Sequence, residues 1–368
     1  MPGHFHAPES PPDPSCALRD MERILFVHTE GGLGDLLLSS PIAEALKRRF
    51  PGSRITGWVN PSHRPILDGN PWFDAFLPFG GCTRFKTARR AISEGRYDTA
   101  ILPWTTGRQA WLARVAGIPC RVGQSGRLAY SWLFTHPVGV RSARGDTTSH
   151  WVDIQLDYAR ALGCEPAGAR PRVWLKDAER AAVRSLLAGR GVRPGEPLCG
   201  LHVGQGLPIT LDRLPIDRLV EAGGAIARSL GMRLVLTGSP DEAPVVDEVA
   251  RRIGSGAVSL AGKADLRTLC ALIDELSVLV CPDTGPAHVA AALGVPAVVI
   301  MTIKSAVPER WRPYRAPHRL VTTGAWHCLK RCVKETCPRF ECMDAFDAWD
   351  VVRAVQELTS ERRTVEAG

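Results

Sequence analysis

No stretch of this chain is apolar for the roughly 20 residues a membrane-spanning helix needs. The longest apolar stretch, Val289 to Met301, is interrupted by Gly294 and Pro296. The opening MPGHFHAPESPPDPSC lacks the positive segment and apolar core of a signal peptide. Residues 1–20 are therefore expected to be a disordered leader, and the compartment the cytoplasm, with peripheral contact to a membrane face. Lysine is scarce, seven against 39 arginines, and no Lys/Arg tract with interleaved aromatics occurs. That argues against nucleic acid as the partner. The dinucleotide fingerprint G-x-G-x-x-G is missing from the glycine turn that follows the first strand-like run, which argues against a Rossmann oxidoreductase. The eleven cysteines contain no C-x2-C knuckle; in a cytoplasmic setting they read as thiols or metal ligands rather than a disulfide framework.

What remains is the composition of an ordinary globular protein: 368 residues, 45% hydrophobic and 23% charged. A net charge of +8 suits acidic small molecules or a membrane surface. The length suggests about two domains.

The apolar runs Arg23 to His28, Arg54 to Val59, Asp98 to Pro103 and Cys120 to Gly123 read as buried strands. Leu36 to Phe50 has helical spacing and closes on Lys47, Arg48 and Arg49, which suit a helix C-terminus. After a slack, Arg/Gly/Ser-rich segment the pattern restarts. Strands are expected at Leu198 to Val203, Arg233 to Thr237, Ala257 to Leu260, Val278 to Cys281 and Ala297 to Met301. Helices are expected at Ile216 to Leu230, Glu242 to Ile253, Leu266 to Glu275 and Ala348 to Glu357. Strands alternating with helices imply parallel sheets covered on both faces. The fold class is α/β. The expected partition is 21–170, 171–345, and a C-terminal helix and tail over 346–368.

Four strand-to-helix turns carry chemistry. In the first, Gly31, Gly32 and Gly34 let a backbone approach a ligand, and Asp35 either caps the following helix or accepts a proton from a substrate hydroxyl. The second gathers Asp283, Thr284, Gly285 and His288 at one helix start, where exposed N–H groups favour phosphate or sugar hydroxyls. The plainer reading makes Asp283 and Thr284 caps and His288 structural. The third runs from Leu201 to Pro215 and includes Gly204. The fourth, Thr237 to Glu242, offers Glu242 to ribose hydroxyls.

Together these segments resemble glycosyltransferase family 9, the bacterial lipopolysaccharide heptosyltransferases. The matching pieces are RILFVHTEGGLGDLLLSSPIAEALKRRFPGSRITGWV, YDTAILP, LVLTGSPDE and LAGKADLRTLCALIDELSVLVCPDTGPAHVAAALGVPAVVIM. The resemblance spans about residues 21–355, and the block containing DTGPAH is its specific part. It implies a GT-B fold, two Rossmann-like domains facing each other across a central cleft, with acceptor held by the first and donor by the second. It implies inverting, metal-independent transfer from a nucleotide sugar of the ADP-heptose type to a lipid-linked acidic saccharide, with no cofactor. It makes Asp35 the general base, assigns Asp283, Thr284, Gly285 and His288 to the donor loop, and sets Glu242 beside the nucleoside.

One departure stands out. Relatives carry a Lys two residues before a Trp-Pro pair after the third turn, whereas this chain has Asp212. Arg213 or Lys304 is then the expected cation at the donor phosphates. A non-catalytic nucleotide-sugar-binding relative is the alternative this departure raises. Finally, Cys328, Cys332, Cys337 and Cys342 supply four thiols that could close a structural zinc site, form redox-active pairs, or simply pack.

Overall fold

The computed structural model describes residues 21–204, 215–301, 307–322, 342 and 345–367. The chain divides between Pro171 and Arg172 into two compact units.

In the first unit the elements run β1 (Arg23–His28), α1 (Leu33–Ser39), α2 (Pro41–Arg49), β2 (Arg54–Val59), β3 (Ala75–Phe76), α3 (Phe85–Glu94), β4 (Thr99–Trp104), α4 (Gly107–Val115), β5 (Cys120–Gln124), β6 (His136–Val138), α5 (Trp151–Gln155) and α6 (Asp157–Arg160). The six strands form one parallel sheet in the order β3-β2-β1-β4-β5-β6. Ile24, Leu25, Phe26 and Val27 are all fully buried. Four consecutive apolar residues can vanish from solvent only if both sheet faces are covered. The single helix expected over 36–50 is instead two. Pro41 has no N–H to continue the ladder, so a new helix starts on it. Ser40 closes the first one by donating to the carbonyls of Leu36 and Leu37.

The second unit runs α7 (Asp177–Ala188), β7 (Leu198–His202), α8 (Ile216–Leu230), β8 (Arg233–Thr237), α9 (Ala243–Ile253), β9 (Ala257–Ser259), α10 (Leu266–Asp274), β10 (Val278–Pro282), α11 (Gly285–Leu293), β11 (Ala297–Met301), α12 (Pro308–Trp311), β12 (His318–Thr322) and α13 (Ala348–Ala367). Its parallel sheet has the order β12-β11-β10-β7-β8-β9. α13 is twice the length expected from its apolar spacing. It buries Val351, Val352, Val355 and Leu358 in the same core as Leu219, Ile226, Val280 and Val298. α7 is tied to α10 and the residue after it by charge: Arg267 grips Glu179 through two 2.7 Å bonds, Arg180 pairs with Asp274 and Arg184 with Glu275.

Both sheets have one topology. In each, the chain starts at a central strand, winds to one edge, then returns to the other side. The reversal falls between β1 and β4 in the first unit and between β7 and β10 in the second. At such a point the connections leave in opposite directions and open a crevice at the carboxyl ends of the strands, where α/β sheets bind ligands.

Six described cysteines are free thiols: Cys82, Cys164, Cys199, Cys270, Cys281 and Cys342. Cys120 is disulfide-bonded. Burial pushes the Cys199 thiol up to about 12, so it is a packed core residue and not a nucleophile.

Candidate active site

The first unit's crevice opens where β1 ends. Gly31 takes a left-handed backbone, φ +79°, and a Cβ there would lie 3.1 Å from Asp35 Oδ2 and 3.2 Å from Trp104 Nε1. Only glycine lets the turn pass between the carboxylate and the indole without strain. Asp35 Oδ2 accepts the Gly32 N–H at 2.7 Å, an interaction that closes the first turn of α1. The capping reading of Asp35 is thus met by one oxygen, and a helix start favours negative charge at this position. Gly34 is the second residue of α1.

The loop ahead of these glycines is braced from β4. Thr106 and Gln109 form a capping box at the start of α4. The other end of the Gln109 amide donates to Thr29 Oγ1 at 2.8 Å and Glu30 Oε1 at 3.0 Å. A buried side chain of α4 therefore links the β1 and β4 loops on either side of the crevice. Trp104 is steadied by an edge-to-face contact with Trp151, ring centroids 5.7 Å apart. Two histidines complete this end. His28, the last residue of β1, is buried, and desolvation, with smaller repulsion from His63, drops its imidazole to about 3. Burial also lowers His63, and the Asp35 carboxylate pulls in the opposite direction, so the imidazole lies in the field of the acid.

The second unit's crevice repeats the plan. β7 also ends in histidine, and His202 Nδ1 meets Thr237 Oγ1 at the end of β8, 2.9 Å away. Burial holds His202 at about 4, against a pull from Glu242. Glu242 Oε2 accepts the Ser239 N–H at 2.7 Å, which fixes the carboxylate over the turn into α9. A Cβ on Gly204 would fall 2.5 Å from Glu242 Oε1. The third and fourth turns are therefore one structure, and Gly204 is there because Glu242 occupies the space.

Beside them β10 ends at Pro282. Asp283 follows, and Thr284 stands at the cap of α11 with extended backbone. Its hydroxyl does not cap: Oγ1 donates back to the Pro282 carbonyl at 3.3 Å, contrary to the capping reading of this residue. Gly285 and Pro286 open the helix. His288 is buried, 6.5 Å from the Trp311 ring between centroids. Gly204, Glu242 and Asp283 through Gly285 thus lie at the ends of three adjacent strands, β8, β7 and β10.

Arg213 and Lys304, with Asp212, lie outside the described residues, as do Cys328, Cys332 and Cys337. Among the described residues no group of three or more His, Cys, Asp or Glu is arranged to hold a metal. The residue-level reading missed His28, His63, Trp104, Gln109 and His202. One signal was available: the first strand of each unit closes on a histidine two or three residues before a glycine.

Residues 224–341 match the model for glycosyltransferase family 9 (heptosyltransferase). The chain is 23% identical over 341 residues to lipopolysaccharide heptosyltransferase 3 of Escherichia coli, an alignment covering 88% of this chain and 96% of that one. Among solved structures, the family 9 glycosyltransferase of Veillonella parvula superposes with a TM-score of 0.78 at 22% identity, covering 94% of this chain and 99% of that one. The E. coli ADP-heptose LPS heptosyltransferase II gives 0.74 at 21% identity, covering 93% and 99%. Two parallel six-stranded sheets with this likeness define a fold of the GT-B type, and the family-model match marks the chain as a glycosyltransferase. Within that class, residues 224–341 are similar to glycosyltransferase family 9, and most of the chain aligns with a lipopolysaccharide heptosyltransferase at 23% identity.

Proposed function

We propose that this chain transfers a heptose from ADP-heptose to a lipid-linked saccharide acceptor of the lipopolysaccharide core type, with inversion and without a metal ion. In this reading the first unit holds the acceptor, the second holds the donor, and 346–368 is a structural helix and tail. The observation that carries it is the Asp35 carboxylate, fixed by the Gly32 N–H at the first switch point. One oxygen orients the group, and the other takes the proton of the acceptor hydroxyl as that oxygen bonds to the anomeric carbon. The bond from that carbon to the diphosphate breaks on the opposite face, and ADP leaves with the electron pair.

The second unit supplies the leaving-group side. Glu242 accepts ribose hydroxyls, Gly204 admits the nucleotide close to the backbone, and Asp283, Thr284 and Gly285 bring the N-terminus of α11 to the diphosphate, where its dipole opposes the growing charge. His288 supports this loop from beneath. Arg213 and Lys304 are the proposed phosphate cations, in the role that Lys plays in relatives. The cysteines at 328, 332, 337 and 342 take no part in transfer. The site of action is the cytoplasmic face of the membrane.

A second reading is binding of a nucleotide sugar without turnover, favoured by Asp212 where relatives carry Lys. A screen of ADP-, GDP- and UDP-sugars for binding and for consumption separates the two. Turnover of ADP-heptose alone is expected. Binding of any of them with no transfer or hydrolysis establishes the second reading.

A further inference from the structure

Between Asp98 and Asp146 the chain carries no acidic residue and six arginines. Three of the four exposed large apolar side chains among the described residues fall in this same segment: Trp111, Leu128 and Trp132, at 41%, 90% and 62% exposure. They are not scattered. Trp111 projects from the middle of α4 and Trp132 from the turn after β5, and their rings meet edge to face with centroids 6.0 Å apart. Leu128 lies four residues before Trp132 in the same loop. Arg114, one turn along α4 from Trp111, and Arg127, next to Leu128, are exposed and form no ion pair among the described residues. The neighbouring α3 adds exposed Lys86 and Arg89.

Single exposed apolar residues are ordinary, but paired tryptophans beside a bare leucine, ringed by unpaired cations, are not. Indole rings favour the boundary between water and acyl chains, and arginines without acidic neighbours favour anionic headgroups. We propose that Trp111, Leu128 and Trp132, with Arg114 and Arg127, form a docking surface for an anionic lipid bilayer. The surface also adjoins the first switch point. Tyr130, in the same loop, donates its hydroxyl to the Thr105 carbonyl at 3.1 Å, at the turn that joins Trp104 to α4. A bilayer seated on this face therefore lies on the side of the unit that carries the turn from Trp104 into α4. The lipid surface is argued from exposure and charge; only its use in presenting a lipid-linked acceptor rests on the function proposed above.

The test is sedimentation of the full chain with vesicles of phosphatidylglycerol and phosphatidylcholine, compared with phosphatidylcholine alone, which reads membrane binding independently of any sugar transfer. The parent should bind the anionic vesicles at low salt and release from them at high salt. A Trp111→Ala/Leu128→Ala/Trp132→Ala variant, with its melting temperature checked, should lose binding at least tenfold. An Arg114→Glu/Arg127→Glu variant, which leaves the apolar group intact, should lose the preference for anionic lipid. Parent-like binding by a well-folded triple variant would overturn the proposal. So would a parent that ignores vesicles but forms a dimer abolished by the same three substitutions, which would make the surface a homotypic contact.

Discussion

Gly204 is the residue on which the proposed donor site depends most closely. Its missing side chain leaves space that the Glu242 carboxylate fills, with 2.5 Å between Oε1 and the position a Cβ would take. Gly204→Ala should displace Glu242 from the Ser239 N–H and weaken ADP binding by about tenfold, the worth of one hydrogen bond of roughly 1.5 kcal/mol to a charged group. Titration calorimetry with ADP measures this, and unchanged affinity would show that Glu242 does not touch the nucleoside. A second residue-scale expectation concerns His28. Its folded pKa of about 3 lies below the usual 6.5, so between those values the unfolded chain binds the extra proton. Stability is thus complete above pH 6.5 and falls as the pH drops toward 3, by up to about 1.4 kcal/mol per pH unit. Glu179, held at about 2 by Arg267, adds a further loss below pH 4.5, because its depressed pKa likewise leaves the unfolded state with more protons. Denaturant melts from pH 7 to 4 check the sum, and His28→Phe should flatten the loss over the upper part of that range. A curve as steep in that variant as in the parent would contradict the assignment.

Among the elements, the brace between the β1 and β4 loops matters most. Gln109 is buried and bonds at both ends, to the start of α4 and to Thr29 and Glu30. Gln109→Leu keeps the volume but orphans these partners, and should destabilise the protein by about 1–3 kcal/mol. If the brace positions Asp35, turnover should fall far more than ADP affinity. Equal losses in both would make Gln109 a purely structural residue. Element type was legible from periodicity because the central strands are unbroken apolar runs and several helices carry clear stops, such as Gly231 and Gly294 in left-handed conformation. Three of the four edge strands, β3, β6 and β12, were not. β3 has two residues and β6 reads His-Pro-Val; each lies beside a neighbour that supplies the pairing its own sequence does not announce. The division at Pro41 was visible as a proline but was outweighed by the continuous helical spacing around it.

At the scale of the molecule, two sheets of one topology give two crevices, and each collects residues that are far apart in sequence. The glycine turns and Asp35, Glu242 and Asp283 could be found in the sequence because each follows a strand directly. His63 and Gln109 could not, since their importance comes from the return of β2 and β4 to the two sides of β1. The capping alternative for Thr284 is not met, because residue type suggests a cap and says nothing of rotamer.

In the proposed reaction, proton removal rests on Asp35. Asp35→Asn retains an oxygen for the Gly32 N–H, so the helix start survives while the base is lost. The decisive measurement is the rate of heptosyl transfer from ADP-heptose to a lipid-linked core saccharide by parent and variant, in the presence of a chelator, with the anomeric configuration of the product and the ADP-heptose affinity of both. Expected are inverted product from the parent, a loss of about 10²- to 10⁴-fold in turnover for the variant, and donor affinity unchanged. Transfer by the variant at the parental rate, or product of retained configuration, would contradict the proposed reaction.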